Sequence, residues 1–147
     1  MIAIDTSALI AIFRLEPEAD CFLKNIVGAR QRFISALSVL ECSMVMTGGA
    51  KDDSAFHALD EFLLEAGIVI VPFDGLQAHR ARNAFLRYGK GRHKAALNLG
   101  DCASYALAMA KGAALLFKGE DFPYTDVAQA AGAKTSRRRP SPAPGTG

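Results

Sequence analysis

Four acidic residues lie where apolar or helical segments of the chain end or turn inward. Asp5 follows an apolar run, Glu41 lies inside a helical pattern, Asp101 opens another helical pattern, and Asp121 follows a second apolar run. Carboxylates are rarely placed beside a protein core unless something compensates their charge. Two carboxylates ~4 Å apart repel by about 4 kcal/mol at an effective dielectric constant of ~20. The pattern therefore predicts one anionic pocket that holds a divalent cation.

The donor atoms of this pocket are carboxylate oxygens, and such hard ligands favour Mg²⁺ or Mn²⁺ over zinc. A water on such an ion can attack a phosphodiester, and a second ion could stabilise the leaving oxygen. Neighbouring polar residues have supporting roles in this interpretation. Thr6 and Ser7 are expected to orient ligands or to bind a water or phosphate. Lys118 is expected to meet a phosphate oxygen or to neutralise part of the carboxylate cluster.

Each acid also has a plain structural interpretation. Asp5 and Asp101 could be capping residues at helix starts, and Asp121 could belong to a simple turn. Glu41 could be a surface or paired residue, although it shares the apolar stripe of its helix, which we expect to face the sheet. That stripe contains Leu37, Met44 and Val45. A purely structural role is easier to accept for any one of these acids than for all four of them.

Alternating strands and helices must position these acids. Four short apolar runs are typical of strands buried on both faces of a parallel sheet: 2–4, 33–35, 68–71 and 114–117. Helical patterns fill the intervals: 7–14, 18–27, 36–47, 54–65, 76–88 and 100–111. The order predicts an α/β doubly wound fold, in which ligands bind at the carboxyl ends of the strands.

The 147 residues are enough for one domain with a substantial core. Residues 134–147 hold four cations and no acid among Ser, Pro, Gly and Thr, so we predict a disordered basic tail there. The domain is then 1–133, with a net charge of −2. Within it, the stretch 75–100 contains several cations and no acid, which suits a polyanionic substrate.

Cysteine usage and hydropathy indicate a cytoplasmic protein with no membrane segment. The three cysteines, Cys21, Cys42 and Cys102, are far apart and lie in predicted helices, so we interpret them as small core residues in a reducing compartment. The longest apolar stretch, 103–117, is interrupted by a lysine and a glycine and is too short for a membrane span. No basic leader precedes the first apolar run, so we expect no signal peptide.

The chain resembles the PIN-domain ribonucleases, specifically the VapC toxins of bacterial toxin–antitoxin pairs. The resemblance covers roughly residues 1–130 and is carried by the order and spacing of four segments: 4–9, 35–41, 93–106 and 115–122. It implies a three-layer PIN-like fold with a central, mostly parallel twisted sheet of 4–5 short strands between helices. One departure from the family pattern is Glu120, which stands where related chains usually have Asn and which could join the metal site.

By the same resemblance, the family's catalytic and metal-binding acids correspond to Asp5, Glu41, Asp101 and Asp121, and the small hydroxyl of the first motif corresponds to Thr6 or Ser7. The family implies cleavage of RNA that depends on Mg²⁺ or Mn²⁺. It also implies a homodimer and a VapB-type antitoxin whose C-terminal segment occupies the active-site groove. We take the cations of the basic stretch and its histidine as candidates for contacting RNA: Arg80, Arg82, Arg87, Lys90, Arg92, His93 and Lys94.

Other functions fit the sequence less well. A phosphatase with an Asp nucleophile requires a second acid two residues after the first, where this chain has Ser7. A phospho-acceptor receiver domain requires an acidic pair near the end of the first strand and an acceptor Asp at the end of a central strand, and the fit is poor because the run 68–71 leads into Pro72, Phe73 and Asp74. A binding module of the PIN type without turnover stays open, since intact acids do not prove catalysis. Metal-dependent cleavage that disappears with Asp5→Asn separates the nuclease from such a module.

Overall fold

The structure is a computed structural model that describes residues 1–131. Strands and helices alternate along the chain in this order: β1 Ile2–Ile4, α1 Thr6–Phe13, α2 Ala19–Gly28, β2 Arg32–Ser35, α3 Ala36–Thr47, α4 Ser54–Glu65, β3 Val69–Val71, α5 Gly75–Tyr88, α6 Leu99–Lys111 and β4 Ala114–Leu116. A short 3₁₀ turn, Phe122–Tyr124, follows. The predicted α/β alternation is confirmed.

The described part of the sheet is parallel, with the strand order β3-β2-β1-β4. Ile4 at the end of β1 is in register with Leu116 at the end of β4. The chain builds β1, β2 and β3 outward in one direction and then returns to place β4 on the other side of β1. The order therefore switches between β1 and β4, where an open sheet presents a crevice for ligands.

Helices cover both faces of the sheet and give it three layers. Alternate residues of β1 point to opposite faces, so Ile2 and Ile4 join one core cluster and Ala3 joins the other. The first cluster includes residues of α1–α4, and the second includes residues of α5 and α6. The three-layer arrangement that the resemblance implied is confirmed.

One expectation about the strands is wrong. The run containing β3 was expected to be buried on both faces, but Val69 is 55% exposed and Ile70 is 47% exposed. The reason is position in the sheet, because β3 is an edge strand and pairs only with β2 within the described residues. An unbroken apolar run thus marks a strand without proving that both its faces are covered.

The predicted tail, residues 134–147, lies outside the described residues. Within residues 1–131, no helix has the length and apolar character needed to cross a membrane.

Candidate active site

Asp5 is the innermost acid of the site and is 3% exposed. It is the N-cap of α1 and follows β1 directly. Its Oδ2 accepts hydrogen bonds from the Ser7 backbone N–H at 3.0 Å and from the Ser7 hydroxyl at 2.5 Å. Its Oδ1 accepts a hydrogen bond from the Ser104 hydroxyl at 2.5 Å. The capping interpretation is therefore correct but incomplete, since one oxygen faces α6.

Asp101 lies on the first turn of α6 and forms a capping box with Asn98. Its Oδ2 accepts from the Asn98 backbone N–H at 3.0 Å, and its own N–H donates to the Asn98 side chain at 2.9 Å. Burial raises the pKa of Asp101 to about 7, helped by the negative charges of Asp5, Asp121 and Glu41 and opposed by the Asn98 N–H. Asp5, Asp121 and Glu41 therefore all lie near the Asp101 carboxyl.

Glu41 reaches this region across an interface between helices α3 and α6. A Cβ atom at Gly100 would collide with the Glu41 carboxylate, so the missing side chain at Gly100 makes room for it. Gly100 is the second residue of α6, whose N-terminal backbone favours a negative charge. The carboxylate therefore lies against the start of the helix that carries Asp101.

The expected orientation of α3 is wrong. The stripe of Glu41 with Leu37, Met44 and Val45 does not face the sheet, and Met44 is 65% exposed. The buried residues of α3 are instead Ser38 and Cys42. Small side chains let the helix approach the core closely, which turns the larger apolar residues outward. Together with Leu40 and Leu99, they line a groove of about 280 Å³ beside Glu41.

Asp121 is exposed and lies just before the 3₁₀ turn that follows β4. Its charge helps to raise the pKa of Asp101, which supports it as the fourth acid. Glu120 is also exposed and lies beside it on the same loop. Thr6 is buried, and its hydroxyl donates to the backbone carbonyl of Ser38. Thr6 therefore serves packing between α1 and α3, whereas Ser7 holds Asp5 directly.

Lys118 does not neutralise the four acids. Its ammonium contacts the carboxylates of Glu16 and Glu18, and both contacts raise its pKa. Its backbone N–H donates to the Ser7 hydroxyl at 2.9 Å, which helps to orient the residue that holds Asp5. The site contribution of Lys118 is thus made through its backbone.

The carboxylate oxygens of the four acids suit a hard divalent cation, although the carboxylates are not already arranged to coordinate one. Among residues 1–131, no group of three His, Cys, Asp or Glu side chains is already arranged to hold a metal ion. The cysteines nearest the acids do not supply softer ligands, because burial and the charge of Glu41 raise the pKa of Cys42 to about 12, and burial raises that of Cys102 to about 11. Oxygen donors remain, as Mg²⁺ and Mn²⁺ prefer.

The basic stretch occupies α5 and the loop to α6, where its cations are exposed. Some are already engaged: Arg87 pairs with Asp126 at 3.4 Å, and Arg82 contacts His79 at 2.6 Å. The Arg92 guanidinium lies over the Phe85 ring. His93 accepts from the Ala95 N–H and packs edge-on against Tyr88, so its imidazole shapes the loop.

Lys94 lies over the exposed ring of Tyr124, one 3₁₀ turn beyond Asp121. This contact brings a member of the basic stretch to the loop of the fourth acid.

Sequence reasoning missed Ser38, Gly100 and Ser104. Ser38 precedes Glu41 by three residues on α3, and Ser104 follows Asp101 by three residues on α6. Residues three apart share a helix face, so a search for hydroxyls at that spacing from each acid would have found both. Gly100 gave no signal, because the approach of Glu41 comes from a distant helix.

Comparisons with known proteins show the family to which the chain belongs. A model of the PIN domain family matches residues 2–128. The chain belongs to the PIN domain family, and within it to the VapC ribonucleases. It is 46% identical over 125 residues to a protein named Ribonuclease VapC from Mycolicibacterium smegmatis, covering 85% of this chain and 96% of that protein.

Solved structures share the fold. VapC20 of Mycobacterium tuberculosis, described as a sarcin-ricin loop cleaving toxin, matches with a TM-score of 0.70 at 14% identity, over 88% of this chain and 98% of that chain. A toxin–antitoxin complex from Klebsiella pneumoniae matches with a TM-score of 0.59 at 23% identity, over 83% of this chain and 90% of that chain.

Proposed function

We propose that this protein is a metal-dependent endoribonuclease toxin that hydrolyses RNA phosphodiesters and is inhibited by a VapB-type antitoxin. The observation that carries the proposal is that Asp5 and Glu41 both contact the helix that bears Asp101, and that Asp5, Glu41 and Asp121 lie near enough to help raise the pKa of Asp101 to about 7. Four acids that face one region in this way would together attract and hold a divalent metal ion. The identity to proteins named VapC ribonucleases supports RNA as the substrate.

The acids have different surroundings, and their proposed roles differ accordingly. Asp5, Glu41, Asp101 and Asp121 would hold Mg²⁺ or Mn²⁺, which when bound supplies a water of lowered pKa and neutralises charge on the phosphate. Asp5 presents a carboxylate oriented by Ser7 and Ser104. Asp101 must lose its proton before it can act as a ligand, so its raised pKa links metal affinity to pH.

The substrate path runs along the basic stretch. Lys90 and Arg92 lie on the loop whose far end leads into the capping box of Asp101. Lys94 and the ring of Tyr124 lie next to each other near Asp121. A cation for the phosphate and an aromatic ring for a base are the contacts that single-stranded RNA uses.

We place the protein in the cytoplasm, where RNA is available and the three free cysteines stay reduced.

The antitoxin is proposed to cover the groove lined by Leu37, Leu40, Met44, Val45 and Leu99. Exposed apolar patches of this kind mark interaction sites, and this one ends at Glu41 and Gly100. An apolar antitoxin segment lying there would block the acids. Leu40→Asp should weaken antitoxin binding and leave RNA cleavage unchanged.

A homodimer is proposed on the family resemblance, and light scattering of the purified protein tests it.

The decisive experiment is cleavage of total cellular RNA by purified, antitoxin-free protein in Mg²⁺, in Mn²⁺ and in chelator. Wild type, Asp101→Asn and Asp60→Asn should be prepared in parallel. Asp60 is an exposed acid on α4, so its substitution makes the same chemical change away from the site. We expect discrete fragments from wild type and Asp60→Asn that require metal, and none from Asp101→Asn.

Sequencing the fragment ends would then identify the target. If folded wild-type protein cleaves no RNA under any of these conditions but still binds RNA, the protein is a PIN module without turnover. Cleavage that persists in chelator or in Asp101→Asn would reject the metal-dependent mechanism.

A further inference from the structure

We propose that Ser104, with Ser38 behind it, is a positioning residue for the catalytic carboxylate of Asp5. The two hydroxyls form a buried hydrogen-bond chain that ends on Asp5 and ties together the elements carrying three of the acids. This inference rests on the proposed function, because it assigns a role within that same site. It concerns residues that neither bind substrate nor belong to the four acids.

The chain is short and fully enclosed. Ser104 Oγ lies 2.5 Å from Asp5 Oδ1, and Ser38 Oγ lies 3.3 Å from Ser104 Oγ. Ser38 is 0% exposed and Ser104 is 1% exposed. Buried hydroxyls of this kind are costly unless their hydrogen bonds are made, so the chain holds a definite arrangement.

The direction of the chain follows from proton counting. An ionised carboxylate only accepts, so the single hydroxyl proton of Ser104 is donated to Asp5. Ser104 can then only accept from Ser38, whose hydroxyl proton points toward it. The Thr6 hydroxyl is bonded to the Ser38 backbone carbonyl and does not compete for this chain. Two protons are therefore aligned toward Asp5 Oδ1.

The elements that the chain joins explain its use. Ser38 lies on α3 three residues before Glu41, and Ser104 lies on α6 three residues after Asp101. Ser38 and Ser104 are 66 residues apart in sequence, and Ser104 and Asp5 are 99 residues apart. The chain thus fixes β1, α3 and α6 relative to one another at the level of their acids. Outer hydrogen-bond partners of metal ligands orient those ligands in this way.

The test compares Ser104→Ala and Ser38→Ala with Ser43→Ala. Ser43 lies on α3 and donates to the Val39 carbonyl, so its loss removes a serine hydroxyl without touching the acids. The readouts are the Mn²⁺ dissociation constant measured by electron paramagnetic resonance, kcat and KM for RNA cleavage, and the melting temperature in chelator.

We expect Ser104→Ala to weaken Mn²⁺ binding by about 10-fold or more and to lower kcat with little change in KM, as for other outer-sphere partners. Ser38→Ala should shift both quantities in the same direction by a smaller factor, and Ser43→Ala should shift neither. Ser38→Ala also keeps the proposal testable if Ser104→Ala does not fold. A Mn²⁺ dissociation constant within about twofold of wild type in both variants would overturn the proposal, whatever their melting temperatures. If wild type itself neither binds Mn²⁺ nor cleaves RNA, the proposed function fails and this inference fails with it.

Discussion

Asp5 and Asp101 lie in one cleft but have opposite surroundings. Both oxygens of Asp5 accept hydrogen bonds from neutral groups on two elements, Ser7 on α1 and Ser104 on α6. Asp101 is also hydrogen-bonded, by the Asn98 backbone N–H, yet burial and three neighbouring carboxylates raise its pKa to about 7. Hydrogen bonds orient the first carboxylate, while the second carries the electrostatic cost of the site.

The contrast indicates how an anionic site can exist before its cation arrives. One acid is fixed by donors that belong to the fold, so it can act as a preset ligand. Another can take up a proton when no metal is present, which relieves repulsion among the four acids. A bound cation would replace that proton and make Asp101 a ligand. Function and stability should therefore respond differently to changes at the two positions.

The largest expected effect is the loss of RNA cleavage when Asp5 or Asp101 is replaced by its neutral amide. Asp5→Asn and Asp101→Asn should each reduce RNA cleavage by on the order of 10³-fold or more, because each removes a proposed metal ligand. Their stabilities in chelator at pH 8 should diverge. Asp5→Asn should lower the free energy of unfolding by about 1–2 kcal/mol, because an amide N–H₂ would face hydroxyl donors.

Asp101→Asn should instead raise the free energy of unfolding by about 1–3 kcal/mol, since a partly buried charge that other carboxylates repel is removed. Urea denaturation of both variants beside wild type measures the difference. Equal shifts of the same sign would show that the two carboxylates are not distinguished by their surroundings.

The second prediction concerns pH. The pKa of Asp101 is raised from 3.8 when unfolded to about 7 when folded, so between these values the folded state binds more protons. The free energy of unfolding of the metal-free protein should therefore fall as pH rises from 4 through 7, and this contribution amounts to as much as ~4 kcal/mol. Thermal unfolding in chelator across this range measures the slope.

Asp101→Asn is the control for the pH slope, because it removes the titrating group and should flatten that part of the profile. Mn²⁺ should restore stability mainly above pH 7, where Asp101 is ionised and free to bind. A wild-type profile that rises with pH between 5 and 8 would contradict the assignment of the proton to Asp101.

Gly100→Ala should separate function from stability. Alanine is favoured over glycine within a helix by up to ~1 kcal/mol, so the melting temperature should stay the same or rise. The new Cβ would displace the flexible Glu41 carboxylate, and Mn²⁺ affinity should fall by about 10-fold. Gly28→Ala is the matched control, since it ends α2 and its Cβ would meet nothing within 4 Å. Unchanged Mn²⁺ affinity in Gly100→Ala would mean that Glu41 contributes little to the metal site.

Much of the fold was predictable from local signals. Apolar runs identified the strands, and the structure places residues suited to capping at several of the helix ends: Ser35, Asp74, Asn98 and Gly112. The orientation of α3 was not predictable from hydrophobicity, because the small residues Ser38 and Cys42 are its buried residues, whereas Leu40, Met44 and Val45 are exposed. Apolar size favours burial only where the neighbouring elements leave room for it.

The four acids of the candidate site were predictable from the sequence, but the residues that hold them in place were not. Asp5, Asp101 and Asp121 could be found from their places at the end of a strand or the start of a helix, and Glu41 from its place on the apolar stripe of a helical pattern. The role of the Ser104 hydroxyl depends on its hydrogen bond to Asp5, which is 99 residues away in sequence. Nothing near Ser104 specifies that contact, because it depends on the packing of α6 over β1. Long-range contacts of this kind decide how the Asp5 carboxylate is oriented.

The smallest effect concerns the approach of RNA to the Asp101 side of the cleft. The loop that carries Lys90 is held by hydrogen bonds of the Lys90 N–H to the Leu97 carbonyl and of the Leu97 N–H to the Tyr88 carbonyl. It leads into the Asn98 cap of Asp101, so RNA lying along it would reach the titrating acid first. Lys90→Glu should weaken RNA binding a few-fold and reduce the slope of log K against log salt by roughly 0.7 for each RNA phosphate that the lysine neutralises.

Mn²⁺ affinity and melting temperature should not change in Lys90→Glu, because the side chain is exposed and lies outside the carboxylate cluster. Lys24→Glu is the control, since it makes the same charge reversal on α2, beside the cavity near Met1 and Arg30 at the amino ends of the strands. Titrating labelled RNA in chelator over a series of salt concentrations separates this binding effect from catalysis. If Lys24→Glu changes the salt slope as much as Lys90→Glu does, RNA is attracted by overall charge. The loop that carries Lys90 then plays no particular part in guiding the substrate to Asp101.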